Sequence, residues 1–158
     1  MRPDPALVVD GQPVAPSSAA DPDETLLQLL RRTGHTAPKQ ACGRGECGAC
    51  TVLLDGRAVL SCVQLAVLVR GELTTAAGLA DDEADLRAAF ADHAGFQCGF
   101  CTPGQIVRAA AILRESPDPT RAQVTKAMAG NICRCTGYVQ IIDAIMATAA
   151  GRAAGRTP

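Results

Sequence analysis

The chain has 158 residues, nearly half of them apolar, with no tryptophan and few aromatics. That suffices for one ordinary domain or two small ones, cored by Ala, Leu, Val and Ile. A formal net charge of -1 excludes the basic footprint of a nucleic-acid binder, and no apolar run approaches the roughly 18 residues of a membrane span.

The opening stretch, MRPDPALVVDGQ, lacks a basic segment followed by an apolar one. No secretory signal is read there, and cytoplasmic residence is expected. Residues 6 to 15 read as a strand, an Asp10-Gly11 turn and a return, the two-residue hairpin signal. Asp21-Pro22-Asp23-Glu24 reads as a helix start, with an aspartate cap, proline at the first position and acids in the first turn. Leu26, Leu27, Leu29 and Leu30 supply its buried side, and Arg31, Arg32 and Gly34 close it. Thr51 to Ser61 is a second hairpin, TVLL-DG-RAVLS, and Leu73-Thr74-Thr75 is one more short strand. These pieces describe a small mixed sheet with a helix across one face.

After Gly78 the pattern becomes helical. Ala84 to His93 places Leu86, Ala89 and Phe90 on one side, with Asp81, Asp82, Glu83 and Asp85 read as a solvated helix start. Thr102-Pro103 is expected to cap a helix running to about Glu115, and Thr120-x-x-Gln123 is a capping box for the next, which should stop near Gly130. Thr136 is expected to start a fourth, from Tyr138 to about Ala149. Four short helices with short connections predict an antiparallel bundle. The fold class is therefore α+β, divided into residues 1–78, 79–150 and a tail, 151–158, expected to fray.

Eight cysteines, at 42, 47, 50, 62, 98, 101, 133 and 135, are the outlier in the composition. With no export signal and enough aliphatic content for a core, ligation of a metal or cluster is a better reading than a disulfide framework. Cys42-x4-Cys47-x2-Cys50 followed by Cys62 has the plant-type [2Fe–2S] ferredoxin spacing. Its thiolates must converge on a cluster of net charge about -2 when oxidised. Gly43, Gly45 and Gly48 let the loop turn and aim N–H groups at sulfur. A zinc site usually shows two C-x2-C pairs, which this loop does not.

Cys98-x2-Cys101 and Cys133-x-Cys135 form a second group, each pair followed by a helix start. Helix N-termini favour an anion, so two such ends can converge on one cluster. Two thiolates two residues apart can ligate one iron from a bent loop, where a direct S–S bond is strained. From spacing alone, zinc stays open here. His35 and His93 lie in unrelated segments and do not make a Rieske pair.

The motifs CGRGECGAC, FQCGFCTPG and GNICRCTGY, in that order, closely resemble the iron–sulfur subunit of the xanthine oxidase family of molybdenum hydroxylases. The resemblance covers roughly residues 6 to 148. It implies a β-grasp ferredoxin domain followed by a four-helix bundle, each holding one [2Fe–2S] cluster. The bundle cluster would lie beside the molybdopterin cofactor of a separate large subunit, and the ferredoxin cluster nearer FAD on a further subunit or another acceptor. By motif, Cys135 would both ligate iron and contact the pterin, Gln97 would hydrogen-bond the pterin, and Cys133 would only hold iron. The chain departs from the family at Gln105, where an apolar residue is usual, at Val63-Gln64-Leu65, and in a loop lengthened by Ser17 to Ala20. None is expected to touch a ligand. Arg134, Arg44 and Lys39 are candidates for offsetting the negative charge of reduction. The implied role is one-electron transfer out of a molybdenum centre. The competing readings are a stand-alone two-cluster carrier and a zinc-bound structural protein.

Overall fold

Two Asp-Gly turns build the sheet. In the computed structural model, which describes residues 7–14, 22–79 and 81–155, Asp10 and Gly11 have φ of 50° and 78°, and Asp55 and Gly56 have 48° and 78°. Both central residues are left-handed, as a type I′ turn requires. The first turn joins β1 (Leu7–Val9) to β2 (Gln12–Val14), and the second joins β3 (Thr51–Leu54) to β4 (Arg57–Leu60). Strand β5 (Glu72–Thr74) lies between the hairpins, parallel to β1 and antiparallel to β3, in the order β2-β1-β5-β3-β4. The Asp10 carboxylate accepts the Thr75 N–H and hydroxyl, each at 2.7 Å, tying the first turn to the end of β5.

Helix α1 spans Leu26–Arg32, not a segment opening at Asp21. Asp21 and Ser17 to Ala20 lie outside the described residues, while Pro22 and Asp23 are in a turn. The cap is Thr25: its hydroxyl accepts the Gln28 N–H, and its own N–H donates to Gln28 Oε1 at 2.8 Å. The Leu26 N–H goes to the Gln64 carbonyl at 2.7 Å. A reciprocal box satisfies two free donors, which the acidic stretch before it does not. Leu26, Leu29 and Leu30 bury against Leu7, Val9, Val52 and Leu73 on one sheet face.

The second half holds α2 (Ala84–Asp92), α3 (Thr102–Glu115), α4 (Arg121–Met128) and α5 (Val139–Gly155). Leu79, Leu86, Phe90, Val107, Ile141 and Ile145 form its core, joined by Leu53 from β3. Thr120 and Gln123 make the expected capping box. Thr102 does not cap α3: Cys101 is the N-cap and Thr102 the first helical residue. Helix α5 starts at Val139 and continues past Ala149 to Gly155, so residues 151–155 of the tail are helical, while 156–158 lie outside the described residues.

The extension has an electrostatic cause. Glu83, expected in solvent, is only 2 % exposed. It accepts from Arg114 of α3 at 3.1 Å and from Arg152 of α5, while Arg152 also donates to Asp85 at 2.7 Å. A buried carboxylate needs such partners, and the clamp holds the last turns of α5 against α2.

Gly48 and Gly104 set the seam between the halves. A Cβ on Gly104 would stand 2.4 Å from the Gly48 carbonyl oxygen and 3.3 Å from the Ala49 backbone. Gly104→Ala is therefore expected to lower stability by about 1–3 kcal/mol, seen as an earlier urea midpoint. Gly151→Ala, where nothing lies within 4 Å of the added methyl, should raise stability by about 0.5–1 kcal/mol. Equal effects of the two would refute the tight seam. Arg152 holds the Asp85 carboxyl below the usual carboxylate range. A depressed folded-state pKa gives stabilisation that is full above the ordinary aspartate value of about 3.9 and fades as pH falls through the folded value. Arg152→Ala should lower the melting temperature at pH 7 and flatten its decline below about pH 4. An acid limb identical to wild type would count against the clamp.

Candidate metal centres

The first centre is built by a loop that wraps its own sulfurs. Gly43, Gly45 and Gly48 all have positive φ, from 67° to 81°. The Glu46 N–H donates to Cys42 Sγ at 3.4 Å. The N–H groups of Arg44, Glu46 and Cys47, in that order of strength, draw the Cys42 thiol down to about 6. Cys62 arrives from the short 3-10 turn Ser61–Val63 that follows β4. Ser61 fixes that approach, donating its hydroxyl to the Cys50 carbonyl at 2.8 Å. Burial pushes the Cys62 thiol up to about 11, with the neighbouring Cys50 thiol adding to it. The thiols thus stand as two pairs, Cys42 with Cys47 and Cys50 with Cys62.

In the second centre the sequence neighbours separate. Cys135 Sγ lies 3.7 Å from Cys98 Sγ, while Cys101 is paired with Cys133. Cys133 and Cys135, read as able to share one iron, do not face each other: each has its nearest thiol on the Cys98–Cys101 segment across the loop. Burial raises the Cys101 thiol to about 11, and Cys133 adds to that. Burial opposes ionisation of Cys133 too, but the Thr136 hydroxyl and N–H and the Cys135 N–H outweigh it and lower its pKa.

Thr136 and Tyr138 do not begin α5. The Thr136 hydroxyl donates to Cys133 Sγ at 3.1 Å and accepts the Tyr138 N–H at 3.2 Å. Tyr138 sits at φ 71°, which turns its hydroxyl back to accept the Cys133 N–H at 2.9 Å. A non-glycine left-handed residue held this way stores strain in favour of local geometry.

Gln97 lies beside Cys135, its amide donating to the Cys135 carbonyl at 3.2 Å. Arg134 lines the apolar cleft formed by Cys98, Cys135, Phe100, Ile132 and Cys47. Arg44 pairs with Glu46 at 2.9 Å on the exposed surface, and Lys39 donates to the Thr36 carbonyl, also at 2.9 Å. Residue types alone did not reveal Asn131 or Gln105. Asn131 is buried and donates its side-chain amide to the Gly48 and Gly104 carbonyls, each at 3.0 Å, and to the Thr51 hydroxyl at 3.1 Å. Gln105, a departure from the family pattern, is buried beside the ligand segments: its side-chain amide donates to the Asn131 carbonyl at 2.7 Å.

The donor set fits a two-iron group. None of the eight thiols is in a disulfide. Two thiolates about 2.3 Å from one tetrahedral ion stand about 3.7 Å apart, and Cys98 and Cys135 are separated by 3.7 Å. Among the described residues no three His, Cys, Asp or Glu side chains gather around a single-ion position. Four thiols at each centre with no three at a single-ion position suit a bridged cluster better than lone zinc. N–H groups aimed at sulfur stabilise thiolate ligation at both centres.

The two halves each match a known family. Residues 9–80 match the 2Fe-2S iron-sulfur cluster binding domain and residues 75–146 the [2Fe-2S] binding domain. The chain is 44% identical over 135 residues to the nicotinate dehydrogenase small FeS subunit of Eubacterium barkeri, covering 83% of this chain and 86% of that protein. Among solved structures, quinoline 2-oxidoreductase from Pseudomonas putida 86 superposes with a TM-score of 0.82 at 39% identity, covering 97% of each chain. The aldehyde oxidoreductase of Desulfovibrio desulfuricans gives a TM-score of 0.87 at 39% identity, with 97% of this chain matching 17% of that longer one. Two cluster-binding domains in this order, with homologues that are small iron–sulfur subunits, decide the assignment: the chain belongs to the iron–sulfur subunits of the xanthine oxidase family of molybdenum hydroxylases.

Proposed function

We propose that this chain carries electrons from a molybdopterin-bearing large subunit, in at the exposed end of the bundle centre and out through the ferredoxin centre to a flavin-bearing subunit. Its domains are taken as residues 1–78 and 79–150. Cys42, Cys47, Cys50 and Cys62 hold one [2Fe–2S] cluster, and Cys98, Cys101, Cys133 and Cys135 the other. When bound, each cluster supplies a one-electron acceptor and donor.

The observation that carries this reading is the Ile132 N–H, which donates to the Cys47 carbonyl at 2.9 Å. Ile132 adjoins Cys133, so one hydrogen bond joins a ligand segment of one centre to a ligand segment of the other. The bundle centre is also polar in exposure. Cys98 and Cys135 are exposed, whereas Cys133 is buried and Cys101 partly so. Beside the exposed end stand Phe100 and Ile132, 48% and 52% exposed. An apolar rim about an exposed thiol pair suits a large protein partner. Gln97 and Cys135 face the pterin from that rim, Gln97 holding the Cys135 carbonyl in place.

A stand-alone carrier has no need of an apolar rim at one centre and an internal link to a second. Chemical analysis is expected to give about four iron and four acid-labile sulfides per chain, with two distinct [2Fe–2S] EPR signals on reduction. A colourless protein with two zinc ions would overturn the redox reading, and elution of the native protein as a lone chain without molybdenum would overturn the subunit reading. In the complex, Cys135→Ser should slow reduction of the bundle centre by on the order of tenfold. Cys133→Ser should instead slow the passage from bundle to ferredoxin centre. Rapid-freeze EPR separates the two steps. Indistinguishable kinetics in cluster-retaining variants would remove the division of labour.

A further inference from the structure

Strand β4 is an outer strand of the sheet, with only β3 beside it among the described residues. Its register pairs Leu53 with Ala58, Val52 with Val59 and Thr51 with Leu60. Bonded and unbonded pairs alternate along an antiparallel ladder. The Ser61 N–H, on the Cys50 carbonyl at 3.3 Å, continues the register and sets its phase. Arg57 and Val59 therefore aim their main-chain groups at β3, while Ala58 and Leu60 aim theirs outward. Among the described residues nothing takes up those outward groups. Beside this edge run two clefts, of about 560 and 360 Å³. Arg57, Ala58, Arg108 and Arg114 line the first, and Ala58, Leu60, Arg108 and Lys126 the second. Ala58 and Arg108 belong to both, so the clefts adjoin along β4.

We propose that this edge takes an extended acidic segment of a partner subunit as a sixth strand. The inference rests on the subunit reading above. Exposed strand edges bind peptides by continuing the ladder, with alternate side chains supplying specificity. Residues of the added strand opposite Ala58 and Leu60 share their face of the sheet. That is the face of α3, since Ala58 packs against the bundle core. Side chains at alternate positions of the incoming strand thus meet the groove, where cations lead. Arg114 is engaged by Glu83 and Glu46 by Arg44, at 3.1 and 2.9 Å. Arg57, Arg108 and Lys126 have no acid partner among the described residues, against Glu115 as the one unpaired acid of the lining. Arg108 is held through Nε on the Ala127 carbonyl at 3.0 Å, which leaves its other nitrogens for a carboxylate. The chain as a whole is at net charge -1, so the surplus is local. A short edge strand is ordinarily blunted by its own charges. Here Arg108 and Lys126 stand on α3 and α4, flanking the edge and not closing it. A small anion would satisfy one guanidinium and leave the outward N–H and carbonyl groups unpaired.

The test is residue-resolved hydrogen-exchange mass spectrometry of the full chain, cluster-loaded, both free and in the native complex. Assembly should slow the Ala58 and Leu60 amides by at least about tenfold, with Arg57 and Val59, already turned to β3, little changed. Equal exchange at Ala58 and Leu60 in the two states overturns the inference, whether the edge is open in both or covered in both. Slowing of all four amides alike overturns the strand, because burial without pairing does not alternate. Protection that grows in the free chain as its concentration rises assigns the edge to a second copy and also overturns the inference. Ala58→Pro removes one outward donor, a change an edge strand tolerates. It should weaken association with the partner subunits about tenfold. Arg57→Glu with Lys126→Glu should weaken it as well, by more at low salt than at high salt. Alternating protection without that salt-dependent loss overturns the acidic occupant. Protection is read on the wild-type chain, so a variant that fails to fold leaves the test standing. A native protein that elutes as a lone chain overturns the subunit reading instead.

Discussion

The Asn131 amide, held under the Gly48 carbonyl, is the contact on which the arrangement of both centres depends. One buried NH2 group serves the Gly48 and Gly104 carbonyls and the Thr51 hydroxyl. Gly48 belongs to the first cysteine loop, Thr51 begins β3, and Gly104 lies in the first turn of α3. Asn131 itself leads into Cys133. Four segments that carry or adjoin ligands therefore meet at one side chain. Neither glycine tolerates a methyl: at Gly104 the facing atoms are backbone, and at Gly48 they are the Gly130 carbonyl oxygen and Asn131 itself. A buried amide with every N–H used resists displacement, since leaving its partners unpaired carries the full desolvation penalty.

From that fixed seam follows a contrast between the two centres. In the ferredoxin loop the donors to Cys42 are the backbone N–H groups of Arg44, Glu46 and Cys47, in a loop turned by left-handed glycines. In the bundle a side chain joins the backbone donors, the Thr136 hydroxyl donating to Cys133 Sγ at 3.1 Å. Backbone donors follow from the loop's turns and are hard to change singly. Side-chain donors can be altered one residue at a time, so the bundle centre is the more adjustable of the two. The Ile132 to Cys47 hydrogen bond then joins an adjustable station to a nearly fixed one.

Much was legible in the chain because its signals are local. Asp-Gly between alternating apolar runs placed both hairpins, and Thr120-x-x-Gln123 placed the start of α4. Other local signals misled because a stronger partner stood nearby in space. The acidic stretch at Asp21 lost to Thr25, whose reciprocal box with Gln28 and neighbour Gln64 satisfied the first helical donors. Glu83 looked like a solvent-facing acid until Arg114 and Arg152, distant in sequence, enclosed it. The same clamp carries α5 to Gly155 through a stretch of Gly, Ala and Arg that has no fold signal of its own.

What the sequence determined by itself was the chemistry: the cysteines fall at spacings that suit two clusters, and glycines interleave where a loop must wrap an anion. Ligand type and spacing are properties of a short segment, and a short segment is sufficient to state them. What only the tertiary structure decided was which thiol faces which. Cys135 meets Cys98 and not its neighbour Cys133, and Gln105 reaches the Asn131 carbonyl two residues before Cys133. Those pairings arise where two helices and a loop converge around Asn131. The orientation of a side chain there is set by residues dozens of positions away, whose approach no local spacing encodes.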